Sequence, residues 1–349
     1  MPGILARAAI GVVWLTVAVL PTVPGAAAET PSRVALSGAG ATFPAPLYYK
    51  WLELYAKEHP DVAITYDSVG SGDGIARFVA GTVDFGASDA AISTADAARV
   101  SRGALVVPAT AGLVSLAYNL PGLGGPLKLP RDVYVDILLG GITNWDDPRI
   151  QGANPTLNLP KRTIAVVARL DKSGTTFALT NHLSAISEKW KAGPGIGTGI
   201  EWPRRAMLAR GNEGVASRIK ISEGSIGYVE YGFAKRLGLP MAELQNKAGN
   251  FVAPGEASGQ SALAEGATDA TDGKPVFISD PATAAAYPVV TYSWLLLYKQ
   301  YPDARKRAAL QEFLSWGLTA GQGIGTPLGY IPLPESVVSQ GKSALQSIQ

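Results

Sequence analysis

The stretch PAPLYYKWLELYAKEHPDVAITYDSVGSGDGIARF, Pro44 to Phe78, decides the fold class. Within it Leu47, Trp51, Leu54 and Tyr55 fall at i, i+4, i+7 and i+8, one face of a helix, and His59-Pro60 stops that helix. Pro44 and Pro46 fit its first turn, where a missing N–H leaves no bond unmade. Val62, Ile64 and Tyr66 then alternate as a strand, and the glycine-rich VGSGDG from Val69 to Gly74 turns the chain into a second helix running through Phe78. Helix, strand, glycine turn and helix in succession form an α/β unit.

The same alternation extends along the chain. Val83 to Gly86 is a short strand, Ser93 or Thr94 caps a helix, and Ala104 to Val107 is strand-like. A second set follows: a helix near Val133 to Leu139, a strand Thr163 to Val167, a helix from about Thr175 to Ser184, a helix from Val215 and a strand Ile226 to Val229. Ala248 to Lys274 is rich in Gly, Ala and Ser and predicts a loop with a helix near Ser261 to Ala264. The pattern predicts an α/β fold with parallel strands. No fixed-period repeat and no long charge block interrupts it.

The first 28 residues stand apart. Arg7 is the only charged side chain before Glu29, and the apolar run from Ala8 to Leu20 has the length of a signal-peptide core. Pro21 and Pro24 follow, and Ala26, Ala27 and Ala28 fit a small-residue cleavage site, so the mature chain is expected to begin at Glu29 in the periplasm. What remains of the 349 residues exceeds what one core usually serves, which predicts two domains. No later apolar stretch is long enough to span a membrane. Cysteine is absent, so thiol chemistry, disulfides and cysteinyl metal sites are excluded. Without Arg7 the 30 basic residues exceed the 28 acidic ones by one, a balance that does not favour nucleic acid or an anionic membrane as partner. An anion site here has to be local.

Three segments share one chemistry. GAGATF (Gly38 to Phe43), GSGDG (Gly70 to Gly74) and SGTT (Ser173 to Thr176) each place glycine and hydroxyl residues before a predicted helix. Helix N-termini offer unpaired N–H groups and the positive end of the dipole, glycine permits close approach, and Ser or Thr adds a donor. Taken singly, Thr42, Ser71 and Thr175 are equally well read as N-caps. Together the three segments point to a tetrahedral oxyanion. In ARLDKSGTTF, Ala168 to Phe177, Arg169 can grip such an anion through two parallel N–H donors, with Asp171 near enough to hold the guanidinium. Nucleotide fingerprints are missing: there is no GxxxxGK[ST], and GAGATF lacks the third glycine of a dinucleotide site. With His59 and His182 as the only histidines, both read as structural or surface residues, neither a zinc site nor a Ser-His-Asp triad is supported; no catalytic residue, metal or cofactor is expected.

At these residues the chain resembles the periplasmic phosphate-binding proteins of phosphate-specific ABC transporters. LSGAGATFPAPLYYKW (Leu36 to Trp51), VDFGASDA (Val83 to Ala90), ILLGGITNWDDPRI (Ile137 to Ile150), RLDKSGTTF, GNEGVASRIKISEGSIGYVEYGFA (Gly211 to Ala234) and FLSWGLTAGQGIGTPLGYIPLP (Phe313 to Pro334) are similar to family segments in the same order. The resemblance implies a two-lobed periplasmic-binding-protein fold crossed twice by the chain, with ligand in the cleft: residues 29–112 plus 290–349 in one lobe and 113–289 in the other. It implies inorganic phosphate as ligand, membrane permease subunits of an ABC importer as partners, a monomer, and no enzymatic activity. The implied phosphate ligands are Thr42, Phe43, Ser71, Asp89, Arg169, Ser173, Gly174 and Thr175, with Asp171 supporting Arg169. Two positions depart from the family: Lys172 stands where glycine is usual, and Ala168 where a second arginine often precedes the ligand arginine. Asp89 argues against sulfate, which has no proton to offer a carboxylate; arsenate, protonated near neutral pH, remains an alternative, as does tungstate. A secreted phosphohydrolase is the reading from another class, and it lacks an activated nucleophile or metal.

Overall fold

The computed structural model describes Gly3, residues 33–266 and residues 277–349. The expected signal peptide, its cleavage site at Ala28/Glu29 and residues 267–274 of the Gly/Ala/Ser-rich segment lie outside these residues.

Along the chain the elements are β1 (Val34–Gly40), α1 (Ala45–Glu58), β2 (Val62–Ser68), α2 (Ser71–Val79), β3 (Phe85–Ser88), α3 (Thr94–Arg99) and β4 (Ala104–Tyr118). A second run holds β5 (Lys128–Leu129), α4 (Arg131–Leu138), α5 (Pro148–Ala153), β6 (Ala165–Arg169), α6 (Gly174–Ile186), α7 (Glu188–Ala192), β7 (Met207–Ala209), α8 (Gly211–Ile221) and β8 (Ser225–Glu230). It continues through α9 (Tyr231–Arg236), β9 (Glu243–Gln245), β10 (Phe251–Val252) and α10 (Glu256–Gly266). The chain then returns through β11 (Val290–Tyr298) and ends in α11 (Ala304–Gly317), α12 (Gln322–Leu328) and α13 (Glu335–Gln346).

Eight strands form one sheet in the order β2-β1-β3-β11-β4-β8-β6-β7. The expected parallel pairing holds at both ends, where β1 lies parallel to β2 and β3, and β6 parallel to β7 and β8. Its middle is antiparallel. Residues Ala104 to Leu113 of β4 pair with β11, and Val114 to Tyr118 pair with β8. One strand thus belongs to both halves of the sheet. The strand expected at Ala104 to Val107 continues through Pro108 and Gly112 to Tyr118. Pro108 is accommodated at a register irregularity opposite Ser293 and Trp294, a place where a residue without an N–H loses no ladder bond. The strand expected at Val83 to Gly86 starts two residues later, at Phe85.

Burial explains the helix faces. Leu47, Trp51 and Tyr55 of α1 are buried, with Trp51 and Tyr55 edge-on to Phe313 of α11. The second half packs around Trp145, Trp190 and Tyr228. His182 is buried there as well, its ring nitrogens facing the Tyr134 hydroxyl and the Ser279 carbonyl, and burial lowers its pKa to about 4. His59 ends α1 and stacks on Tyr55. Both are structural. No helix among the described residues is long and apolar enough to cross a membrane.

Candidate functional site

Parallel strands of α/β sheets bring their carboxyl ends, and the helix starts that follow them, to one edge. β1 ends at Gly40 and its loop carries Thr42 and Phe43 into α1; β2 leads to Ser71, the first residue of α2; β3 ends one residue before Asp89. β6 ends on Arg169, and the following turn carries Asp171, Lys172 and Ser173 into α6, whose first two residues are Gly174 and Thr175.

These positions converge across the two halves of the sheet. The Ser71 hydroxyl accepts from the backbone N–H groups of Asp89 (3.3 Å) and Gly174 (3.1 Å). The Arg169 guanidinium donates to both carboxylate oxygens of Asp171 and, at 3.3 Å, to the Thr175 hydroxyl. Gly174 has no room for a side chain: a Cβ there would lie 2.6 Å from Asp89 Oδ2 and from Ser71 Oγ. Gly70 combines a positive φ of 98° with a neighbour, Asp171 Oδ2, only 2.5 Å from where its Cβ would be. Glycine at both positions is what lets the halves approach.

Thr42, Phe43, Ser71, Asp89, Arg169, Ser173 and Thr175 are all buried. None of Thr42, Ser71 and Thr175 proves to be an N-cap. Thr42 precedes the Pro44 cap of α1, Ser71 follows the Gly70 cap of α2, and α6 is capped by Ser173, whose hydroxyl accepts from Thr176 N–H. Their hydroxyls are therefore not spent on helix ends. Phe43 sits with its ring in the core, and its carbonyl accepts from the Tyr330 hydroxyl at 2.6 Å.

Asp89 is 1 % exposed. Burial pushes its carboxyl up to about 7, with partial relief from the Ser293 hydroxyl, which donates at 2.7 Å, and from the Arg169 charge. Burial acts on Asp171 too, but Arg169 and the Gly211 N–H outweigh it and hold that carboxyl below its usual range. Arg169 is the one Lys or Arg side chain buried among the described residues. Lys172 is exposed and lies over Gly72, whose N–H donates to the Lys172 carbonyl at 3.0 Å. Ala168 faces the buried core rather than the cluster.

Sequence reasoning missed three members. Ser293 of β11 bonds Asp89. Asn212, at the start of α8, donates to Thr42 and Thr175. Glu230, at the end of β8, is a second buried carboxylate, pushed up to about 8 by burial and held by the N–H groups of Gly232 and Phe233. The GNEG run at Gly211 to Gly214 was a signal of the same glycine-flanked kind as the three segments recognised. A cavity of about 270 Å³ opens beside the cluster, lined by Thr42, Ser68, Asp73, Asp171, Arg210 and Glu213 among others.

A buried cluster of N–H and O–H donors around one cation, with the Asp89 carboxylate buried among them, suits a small oxyanion that itself carries a proton. Among known proteins, the family model described as a PBP superfamily domain matches residues 25–320. The phosphate-binding protein PstS of Pasteurella multocida is 40 % identical over 314 residues, 90 % of each chain. The protein of the same name from Haemophilus influenzae is 39 % identical, over 93 % of this chain and 95 % of its own. A PstS from Methanocaldococcus jannaschii is 36 % identical, covering 92 % and 88 %. Among solved structures, a high-affinity periplasmic phosphate-binding protein (PfluDING) bound with phosphate superposes with a TM-score of 0.72 at 23 % identity, over 89 % of this chain and 93 % of that one. The phosphate-binding protein from Stenotrophomonas maltophilia gives 0.71 at 20 % identity over the same shares.

Proposed function

The chain belongs to the PBP superfamily and, within it, to the PstS phosphate-binding proteins, and from that membership and the geometry of its cluster we propose that it captures inorganic phosphate and delivers it to an ABC importer.

The observation that carries the reading is Asp89, a carboxylate buried among donors. A site for a fully deprotonated anion would gain nothing from it; phosphate near neutral pH keeps an O–H that can donate to it. The remaining oxygens would accept from Arg169, from the hydroxyls of Thr42, Ser71, Ser173 and Thr175, and from the N–H group of Phe43, while the Gly174 N–H, which donates to Ser71, would act through that hydroxyl. The N-terminal ends of α2 and α6 add positive potential from both sides of the site. Lys172 takes no part.

Residues to 112 with those from 290 form one lobe in this reading, and residues 113–289 the other. The change of partner within β4 between Leu113 and Val114 supports it, because a strand shared by both halves can flex there as a hinge. Phosphate touching both lobes would favour the closed arrangement by its differential affinity. Export by the first 28 residues would place the mature protein in the periplasm, as a monomer, with permease subunits as its partners and no reaction of its own. Calorimetric titration of the mature protein tests the ligand: phosphate should bind with one site per chain and sulfate should not compete. Saturable binding of sulfate at comparable concentration would count against the reading, and turnover of a chromogenic phosphate ester would favour a phosphohydrolase.

A further inference from the structure

Every phosphate oxygen other than the one bearing the proton can only accept, so a hydroxyl is useful to it only when the hydroxyl's own hydrogen points inward. A hydroxyl can donate once and accept twice, and nothing in Thr or Ser alone decides which of these faces the ligand. In this protein the direction is set from behind.

Thr42 Oγ1 accepts two N–H groups, from Asn212 Nδ2 at 2.9 Å and Asn212 N at 3.2 Å. Thr175 Oγ1 likewise accepts two, from Asn212 Nδ2 at 3.2 Å and from Arg169 at 3.3 Å. With both lone pairs taken, each threonine has only its proton left to offer. The orientation of the Asn212 amide is itself fixed, because its Oδ1 accepts from the backbone N–H of Glu230 at 3.0 Å, which leaves the NH2 end to face the threonines. Asn212 is fully buried. It reaches Thr42 across 170 residues of chain and Thr175 across 37, so one amide serves a hydroxyl from each half of the sheet.

We infer that Asn212 is a positioning residue for anion binding, which locks the hydroxyls of Thr42 and Thr175 as donors and ties the two halves together while doing so. The inference rests on the phosphate reading above and adds to it the residue that sets the polarity of two of its donors. Ser71 is polarised in the same sense by the backbone N–H groups of Asp89 and Gly174, so Asn212 supplies by side chain what main chain supplies there.

The test is Asn212→Asp, which keeps the shape and the Oδ1 bond to Glu230 but replaces a donor by an acceptor. Thr42 and Thr175 then donate to residue 212 and turn lone pairs toward the ligand. Calorimetry at pH 8 should show phosphate affinity reduced roughly 30-fold or more, since two buried pairings are inverted. The loss should shrink as pH falls, because monobasic phosphate has a second O–H with which to meet a lone pair. Asn212→Ala frees the hydroxyls to rotate without inverting them and should lose only about three- to tenfold, with the ligand-free melting temperature held within a few degrees of wild type. Equal losses in the Asp and Ala variants, or an Asp variant whose loss does not depend on pH, would overturn the assignment, as would an Ala variant with unchanged affinity. Should the Asp variant fail to fold, the Ala variant decides alone. A wild type that takes up no phosphate overturns the ligand reading itself; a wild type that binds while both variants match it overturns only the role of Asn212.

Discussion

Asp89 and Arg169 carry opposite charges into one buried cluster, and each makes a different demand on the ligand. In the phosphate reading Asp89, when ionised, would accept a hydrogen bond from the ligand's O–H. Replacing that carboxylate by the amide in Asp89→Asn lets an N–H2 turn toward an oxygen of any anion, so discrimination against sulfate should relax. Sites built around a ligand O–H reject analogues lacking it by roughly 10⁴ to 10⁵, and like-charge repulsion adds to that. Competition of labelled phosphate with excess sulfate is the measurement: wild type should hold its ligand and the Asn variant should lose part of it. Displacement from wild type at comparable sulfate concentration would remove this role from Asp89. Arg169 supplies the positive charge, and its guanidinium is held by Asp171. Arg169→Ala leaves the half-buried Asp171 carboxylate facing an incoming anion without its partner. Truncating one member of a buried charged pair typically costs about 2 to 5 kcal/mol, a factor of about 30 or more in Kd. Lys172→Ala, at an exposed position, should leave Kd within about twofold, as surface charges contribute little. Similar losses in both variants would mean that the cation has been misassigned.

Among the elements, the starts of α2 and α6 meet more closely than any side chain there would permit, and Gly174 is the point of contact. The methyl of Gly174→Ala would lie 2.6 Å from Asp89 Oδ2 and Ser71 Oγ, so the two helix starts must separate. Because α6 itself gains helix propensity from the exchange, ligand-free stability should change by no more than about 1 kcal/mol while phosphate affinity falls at least tenfold. A variant that binds phosphate as wild type does would show that the approach of α2 to α6 is not required. These two helix starts were legible in the sequence because glycine and hydroxyl residues cluster before an apolar period, a local signal. β4 was legible only in its first four residues, since Pro108 and Gly112 imitate a turn and the irregularity that admits Pro108 forms only where β4 pairs with β11, far along the chain. Asn212 escaped for a related reason. Its sequence setting, GNEG, resembles an ordinary helix start, and its bonds to Thr42 and Thr175 exist only after the halves of the sheet come together. Ser293 and Glu230 lie inside strands that announce burial and nothing else. Local chemistry was readable; pairings between distant segments were not.

For the molecule as a whole, the buried ionisable groups set a pH dependence that ligand should oppose. Asp89 and Glu230, raised by burial to about 7 and about 8, hold protons in the folded state that the unfolded chain gives up near pH 4. Their stabilising effect is therefore complete below about pH 4 and is lost as pH rises through 7 and 8. Glu213, also raised by burial, acts in the same direction. His182, lowered to about 4 by burial, acts in the opposite one: the unfolded imidazole binds a proton between about 4 and 6.5 that the folded one refuses, so its contribution grows with pH over that window and then stops. The carboxyls of Asp136 and Asp171, lowered by their cationic partners despite partial burial, matter only below about pH 4. From about pH 4 to 6.5 the histidine thus offsets part of the carboxylate effect, whereas between 6.5 and 7 Asp89 and Glu230 act without it, and between 7 and 8 Glu230 acts alone. Ligand-free melting temperature should fall most steeply just below about pH 7 and more gently from 7 to 8, and Asp89→Asn should flatten the fall below about pH 7 while leaving the Glu230 part above it. Phosphate reverses the trend where Asp89 is ionised, because the carboxylate regains a proton donor in the ligand and the native state alone binds it. At about 100 times its dissociation constant such a ligand adds about 2.7 kcal/mol. Scanning calorimetry at pH 6.5, 7 and 8, with and without phosphate, reads all of this at once: a ligand-free melting temperature that climbs across those three values would mean that Asp89 and Glu230 are solvated rather than buried, and one that phosphate does not raise would leave the cluster without its proposed ligand.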